Sequence, residues 1–391
     1  MNTLFDKKSD ALIDGLRKVL APIDKARGLP NLCYTNPVIF SKELKDIFLG
    51  GWACAGFSKD ASSSGDLYPF EFAGIPLIMI RDENDIIHIY HNVCQHRGRI
   101  LVDAPISNVK GIVCPYHGWT YNLKGKLVGT PGIGGAGKHS CDGFLKQDVQ
   151  LNEVQSAEWL GLIFVNISEA KSEFSRYIAP IAKRWQFFEN AVLTHTGTDS
   201  TIKFNLECNW KLVIENYCEA YHLPLIHPDL NSYSPLSDHY PIVETTYSGQ
   251  GSNHYDPAFC PQGQTLPSAR GLPVFWAKGA EYIALYPNVL LGIHRDHFFA
   301  ALINPKGVDN TEQRVEIFYN DESAVNSVFN VFRQENKKLW KKILLEDKVV
   351  IESMQRGRLS PGFNGGVFSP AMDIATHKFH IWVANVLLEG R

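Results

Sequence analysis

HNVCQHRGRILVDAPISNVKGIVCPYHGW, residues His91 to Trp119, carries the strongest constraint on the fold. It offers Cys94 and His96 from one short segment and Cys114 and His117 from a second, with seventeen residues between the pairs. Two such pairs clamp a metal centre between two loops. Mixed thiolate and imidazole ligation suits a tetrahedral zinc, or an iron–sulfur cluster with two thiolates on one iron and two imidazoles on the other. Spacing alone leaves both open. Gly98 and Gly118 permit close backbone approach, Pro115 stiffens the second segment, and Tyr116 with Trp119 supplies an apolar wall with polar tips. That shell suits a shielded redox centre whose sulfurs accept backbone hydrogen bonds.

Working outward, residues Gly51 to Ile167 are built of short β-type runs between turn residues: Pro69 to Phe72, Leu77 to Arg81, Ile86 to Tyr90, Gly111 to Val113, Trp119 to Asn122 and Leu160 to Val165. They predict a compact all-β domain over residues 46–168. The flanks have another texture. Upstream, an amphipathic helix is followed by a loop from Arg27 to Asn36 and by helical periodicity from Ser41, a possible N-cap, to Leu49. Downstream, Tyr177 to Leu193 reads as helical, Thr201 to Leu206 as a strand, and a helix starts near Trp210. Strands follow at Tyr282 to Ile293, His297 to Ile303 and Arg314 to Tyr319, then a long helix from about Glu322 to Arg356 and a last strand or helix at Phe379 to Leu388. The Gly/Ser/Pro/Asn-rich stretch from Pro228 to Gly271 predicts loops over a pocket. The class expected is α+β, with the all-β domain inserted between residues 1–45 and 169–391 of a helix-backed antiparallel-sheet domain.

A second constellation lies in NWKLVIENYCEAYHLPLIH, residues 209–227. His222 and His227 are five apart, so they would not share one face of a straight helix, but Pro224 bends the chain between them. A helix end plus a loop can then present both imidazoles to one metal. Two histidines and a carboxylate make the facial triad of non-haem iron, which leaves positions open for O2 and substrate. In a chain with 14 histidines an incidental pair is the commoner outcome, so the residues alone leave this open as well.

CQHRG at 94–98 followed by CPYHGW at 114–119 resembles the cluster signature of Rieske non-haem iron oxygenases, and EWLGLIFVNIS at 158–168 is similar to the closing strands of that domain. NWK, ENY, Glu219 and YH-x4-H resemble the mononuclear iron motif of the family's catalytic subunit. The resemblance implies one [2Fe–2S] cluster on Cys94, His96, Cys114 and His117, and one mononuclear Fe(II) on His222 and His227. It implies the third ligand too, because LLEDKVVIESMQRG at 344–357 is similar to the family's late-helix motif. Asp347 is the choice there, with Glu346 and Glu352 as competitors. Glu219 matches the acidic residue that links the cluster of one subunit to the iron of its neighbour, in a relay from His96 or His117 through Glu219 to His222. Its position three residues before His222, together with Gln355 to Gly357, is similar to the subgroup that acts on quaternary ammonium compounds such as carnitine and glycine betaine. For that substrate an aromatic cage is expected, with Tyr217, Phe275, Trp276 and Tyr286 as candidates, while Trp210 and Asn216 would shape the iron site. The implied activity is that of a terminal oxygenase which hydroxylates a small substrate, with N-demethylation or C–N cleavage as the outcome. An aromatic-ring hydroxylating oxygenase, or a Rieske electron carrier without substrate chemistry, are the alternatives. The implied partners are O2, a reductase with flavin and iron–sulfur centres, and sister subunits in a homotrimer.

Bulk properties agree with such an enzyme. The 391 residues are 45% hydrophobic and 20% charged, the balance of a globular protein. A net charge of -3 gives no footprint for nucleic acid or an anionic membrane. No run approaches the roughly 20 apolar residues of a membrane span, and the N-terminus lacks the uninterrupted apolar core of a signal peptide, so a cytoplasmic location is expected. Of the eight cysteines, those other than Cys94 and Cys114 read as small buried hydrophobes.

Overall fold

The computed structural model describes residues 2–168, 172–189, 191, 193–257 and 265–389. The chain forms two compact units, one made of Leu49–Lys171 and the other of Met1–Phe48 with Ser172–Arg391. The second begins with helices α1 (Asn2–Val19), α2 (Leu32–Thr35) and α3 (Pro37–Glu43). Ser41 is not the cap of α3. Asn36 is, its side chain accepting from the amides of Val38 and Ile39, and Pro37 occupies the first turn, where its missing N–H costs nothing. Ser41 lies inside the helix and donates its hydroxyl to the Pro37 carbonyl at 3.0 Å.

The inserted unit is all-β. Strands β1 (Trp52–Phe57), β2 (Leu67–Phe72), β3 (Ile75–Arg81), β4 (Ile87–His91), β8 (Glu153–Trp159) and β9 (Leu162–Asn166) form an antiparallel sheet in the order β1-β9-β8-β4-β3-β2. Between them in sequence, β5 (Ile112–Val113), β6 (Thr120–Tyr121) and β7 (Leu127–Gly129) make a smaller three-stranded sheet. The run expected at Leu160 to Val165 is strand β9 from Leu162 on, and its first two residues, Leu160 at φ +49° and Gly161 at φ +73°, turn the chain between β8 and β9. Cys94, Cys114, Trp119 and Tyr121 belong to the hydrophobic core of this unit, together with Leu67, Ile78 and Ile80.

The larger unit continues with α4 (Phe174–Arg184), β10 (Thr201–Leu206), α5 (Trp210–Tyr217), α6 (Leu223–Ile226) and α7 (Pro228–Tyr233), then β11 (His239–Val243), β12 (Tyr247–Ser252), β13 (Ala280–Leu285), β14 (Val289–Ile293), β15 (His297–Gly307) and β16 (Asn310–Tyr319). These seven strands form one antiparallel sheet, ordered β10-β16-β15-β14-β13-β12-β11. Helices α8 (Asn330–Gly357) and α9 (Ile374–Glu389) complete the unit; α9 packs on β11 and β12, α5 against β13 and β15, and α8 beside α5 and β10. Three expectations are corrected. The run from Tyr282 to Ile293 is two strands, because Pro287 cannot donate to a ladder and sits in the turn between them. The long helix starts at Asn330, after two short 3₁₀ turns. The stretch from Pro228 to Gly271 is not only loops, since it carries α7 and the β11–β12 hairpin. Its residues 258–264, Cys260 included, lie outside the described residues.

Candidate metal centres and the adjoining pocket

Cys94 and Cys114 occupy equivalent positions in two matching tight turns. The Cys94 amide donates to the Arg99 carbonyl at 2.8 Å and its carbonyl accepts from Gly98 at 2.9 Å; the Cys114 amide donates to Trp119 at 2.7 Å and its carbonyl accepts from Gly118 at 3.0 Å. Both turns need a left-handed residue, supplied by Gly98 at φ +70° and Gly118 at φ +71°. The thiols are buried, and burial pushes that of Cys94 up. The imidazoles lie at the outer edge, with Nδ1 of His96 3.1 Å from Nδ1 of His117. His96 stacks on Trp119, and Tyr116 covers His117. Two sulfurs at depth and two ring nitrogens outside them form an asymmetric donor set, as an iron–sulfur cluster with one thiolate-bound and one imidazole-bound iron requires. The Tyr121 hydroxyl lies 3.4 Å from Cys94 Sγ and accepts from the Gln95 amide at 3.0 Å. A phenol two residues beyond the second signature segment had no mark in the sequence as a partner of the first.

In the larger unit, His222, His227 and Asp347 each offer one ligand atom within 4.8 Å of the others. The local chain explains the meeting of the histidines. Helix α5 ends at Tyr217, so Glu219 is not on a continuing helix with His222. The two histidines instead flank α6, a single turn with Pro224 at its start, and Pro228 opens α7 directly after it. Asp347 arrives from the middle of α8, its Oδ1 2.9 Å from His227 Nε2 and 3.6 Å from His222 Nε2. Each ring is oriented from behind. Glu219 Oε1 lies 2.5 Å from His222 Nδ1, and Glu346 Oε2 lies 2.7 Å from His227 Nδ1. A carboxylate at Nδ1 holds the proton there and leaves the Nε2 lone pair facing the common point, the arrangement that supports histidine ligation of a metal. Burial by itself would lower the pKa of His227, but the hydrogen bonds and charges of Asp347 and Glu346 outweigh it and raise the net value. Without a cation the site is anionic, so the donor set fits a divalent metal. Glu352 is elsewhere, accepting from the Glu207 amide and pairing with Lys348. Asn216 stands beside the centre, its Nδ2 3.5 Å from His222 Nε2.

The helix that precedes the centre is anchored by buried charge. Lys211 Nζ is bound by both oxygens of Glu43, at 2.7 and 2.8 Å, and by Asn209 Oδ1 at 2.7 Å, while Trp210 Nε1 donates to Glu43 at 3.0 Å. One turn on, Glu215 accepts from Tyr34 and lies 3.4 Å from Arg358 Nη2 and 3.2 Å from His380 Nε2. Trp210 therefore anchors α5 and does not face the metal site. Gln355 ties the same region together by accepting from the Asn209 amide and donating to the Tyr34 carbonyl.

A cavity of about 60 Å³ opens against His222, His227 and Asp347, and Tyr217, Leu223, Leu230, Tyr282, Phe299 and Trp340 form its apolar wall. Of the four aromatics expected to contact substrate, Tyr217 lines this space, its hydroxyl tied back to the Leu291 carbonyl at 2.9 Å. The other three do not line it. Tyr286 is buried against Phe379 and Trp382 and donates to Ser248 at 2.5 Å. Phe275 and Trp276 pack edge to face on one another, and Trp276 on Phe188. Tyr282, Phe299 and Trp340, from two strands and α8, take their place; no spacing links residues so far apart.

Residues 193–389 match the family described as ring hydroxylating alpha subunit (catalytic domain), and residues 51–141 match the Rieske [2Fe-2S] domain. The chain belongs to the ring-hydroxylating alpha-subunit family. As a Rieske-type terminal oxygenase it has a [2Fe–2S] cluster and a mononuclear iron as its cofactors, and it depends on O2 and a reductase. Zinc and a cluster carrier without substrate chemistry are thereby set aside. The choline monooxygenase of Arabidopsis thaliana is 27% identical over 370 residues, covering 92% of this chain and 82% of that one. Two solved structures share the fold at 19% identity, each covering 97% of this chain and 98% of the other. One is a quaternary ammonium Rieske monooxygenase of carnitine oxidation by gut microbiota, with a TM-score of 0.76. The other is the naphthalene 1,2-dioxygenase of Rhodococcus sp., with a TM-score of 0.77. One fold thus serves a cation in the first and an arene in the second. No helix among the described residues is long and apolar enough to cross a membrane.

Proposed function

We propose that this terminal oxygenase inserts one oxygen atom into a C–H bond of a small alkylated ammonium cation. The observation that carries the reading is the pocket beside His222, His227 and Asp347, where four aromatic side chains, Tyr217, Tyr282, Phe299 and Trp340, meet. A quaternary ammonium group has no N–H to satisfy and is drawn to ring faces instead. Similarity to choline monooxygenase supports the same substrate class. An arene is the second reading, favoured by the apolar character of the same wall.

Cys94, His96, Cys114 and His117 would hold the cluster, and His222, His227 and Asp347 the iron. Once bound, these groups supply one-electron transfer and O2 activation. The chain's own residues do the positioning. Glu219 and Glu346 fix the two imidazoles through Nδ1, Asn216 stands beside His222, and the aromatic wall holds the substrate and excludes water. In balance, R–H, O2, two electrons and two protons give R–OH and water. Hydroxylation of an N-methyl carbon gives a carbinolamine that releases formaldehyde; at a carbon already bearing a hydroxyl it gives an aldehyde hydrate.

A head-to-tail homotrimer is the assembly we infer. It is supported by the part-exposed Glu219 carboxylate, which extends the His222 hydrogen bond outward, and by the inter-subunit electron transfer of the carnitine-oxidising relative. Substrate-dependent O2 uptake with a suitable reductase, over choline, carnitine, glycine betaine, proline betaine and simple arenes, tests the reading. Coupled product from an ammonium compound is expected. Product from arenes alone would overturn it.

A further inference from the structure

The pocket is lined by aromatic and aliphatic side chains but by no lysine or arginine among the described residues. Apart from Tyr217 and Tyr282, its ionisable groups among the described residues are His222, His227 and Asp347 of the metal site, and His239. His239 is not a free cation. Its Nδ1 lies 2.7 Å from Gln250 Oε1 and its Nε2 3.0 Å from Ser234 Oγ, so both nitrogens are engaged. Burial lowers its pKa, which disfavours the charged ring. Gln250 is engaged too, donating from Nε2 to the Glu219 carbonyl at 3.0 Å. Lys342, one turn before Glu346 on α8, pairs with Asp229 and Glu346.

We propose that the pocket accepts an alkylammonium cation whose other end is uncharged, an alcohol or a plain alkyl group, and rejects ammonium compounds that carry a carboxylate. The proposal rests on the reading above that the substrate is an ammonium compound, and it divides that class in two. A carboxylate moved from water into this wall would lose its hydration and find no lysine or arginine among the lining residues. A trimethylammonium group would find the ring faces of Tyr217, Tyr282, Phe299 and Trp340. Neutral polar groups such as Asn216 suit a hydroxyl end and do not compensate a full charge.

Choline and glycine betaine differ only in CH2OH against COO⁻, so they make a matched pair. Equilibrium binding to the fully metal-loaded protein without O2, read by titration calorimetry, separates recognition from turnover. Choline is expected to bind about 100-fold more tightly than glycine betaine. Glycine betaine methyl ester, with the charge removed, should recover most of the loss. The neutral carbon isostere 3,3-dimethylbutan-1-ol should bind about 30-fold more weakly than choline. Leu344→Arg, which adds a cation at the pocket wall, should narrow the choline-to-betaine ratio at least about tenfold. Glycine betaine binding as tightly as choline, or a ratio unmoved by Leu344→Arg in a protein with full metal content, would overturn this inference while leaving an ammonium substrate standing. Equal binding of the carbon isostere, or no binding by any ammonium compound, would overturn the ammonium reading as well.

Discussion

Replacing Glu346 by alanine removes the carboxylate 2.7 Å from His227 Nδ1 and leaves Asp347, His222 and His227 in place. His227 is 2% exposed, so water cannot readily take over as acceptor. The ring then loses the partner that fixes both its proton and its orientation. Loss of a carboxylate behind a ligating histidine costs about 10–100-fold in metal affinity, or about 1.4–2.7 kcal/mol. Lys342, which also pairs with Glu346, would keep Asp229 as its partner, so the rest of α8 should hold. The assay is a competition titration of Fe(II) against a chelator, with the cluster's visible absorption as an internal measure of intact protein. Three acidic residues of α8 should rank in order. Asp347→Ala abolishes iron binding, Glu346→Ala weakens it by the stated factor, and Glu352→Ala leaves it unchanged, because Glu352 serves the Glu207 amide and Lys348. Equal effects of Glu346→Ala and Glu352→Ala would refute the reasoning, as would an Asp347→Ala protein that still binds iron.

Other outcomes follow from the same contacts. Lys211→Met strands Glu43 in a fully buried site and should cost about 3–5 kcal/mol in urea unfolding followed by tryptophan fluorescence, with Glu43→Leu in the same chain restoring much of it. Tyr121→Phe removes a hydroxyl 3.4 Å from Cys94 Sγ, and since a donor to sulfur favours the more negative reduced cluster, its loss should lower the reduction potential by about 20–60 mV in a redox titration. Glu219→Gln, with both iron sites full, should reduce coupled O2 uptake at least about tenfold by disturbing His222; undiminished activity would remove Glu219 from the working site. Cys33, Cys208 and Cys218, whose thiols burial pushes up to about 12, should resist alkylation in the native protein at pH 8 while exposed Cys141 reacts, as peptide mass mapping would show.

What could be read from the sequence was local. The two signature loops place donors within a few residues of a glycine, and the His222–His227 spacing is set by one helical turn between prolines, so short-range geometry was enough. Asp347 was reached only through resemblance, because Glu346 and Asp347 are both acidic and about 100° apart around the helix. Both are used, one toward the centre and one behind it. The β11–β12 hairpin was hidden by its own composition. A Cβ on Gly249 would stand 2.0 Å from the Tyr282 carbonyl oxygen, and one on Gly251 would stand 2.2 Å from the Tyr240 ring. Close strand contact demands glycine there, and a glycine-rich segment looks like a loop. The pocket wall joins Tyr217, Tyr282, Phe299 and Trp340 through sheet register and helix packing, neither of which any single segment encodes.

Asp347 stands 120 residues from His227 in the chain, and the atoms they present to a metal are 2.9 Å apart. A bound iron is therefore a cross-link between the short α6 turn and the long helix α8. An ion that binds the folded form alone, at a hundred times its dissociation constant, adds about 2.7 kcal/mol to folding. A chain made under iron scarcity would lack that increment and open more often around α6, within reach of proteases. Supply of the metal would then set how long each copy survives as well as whether it works.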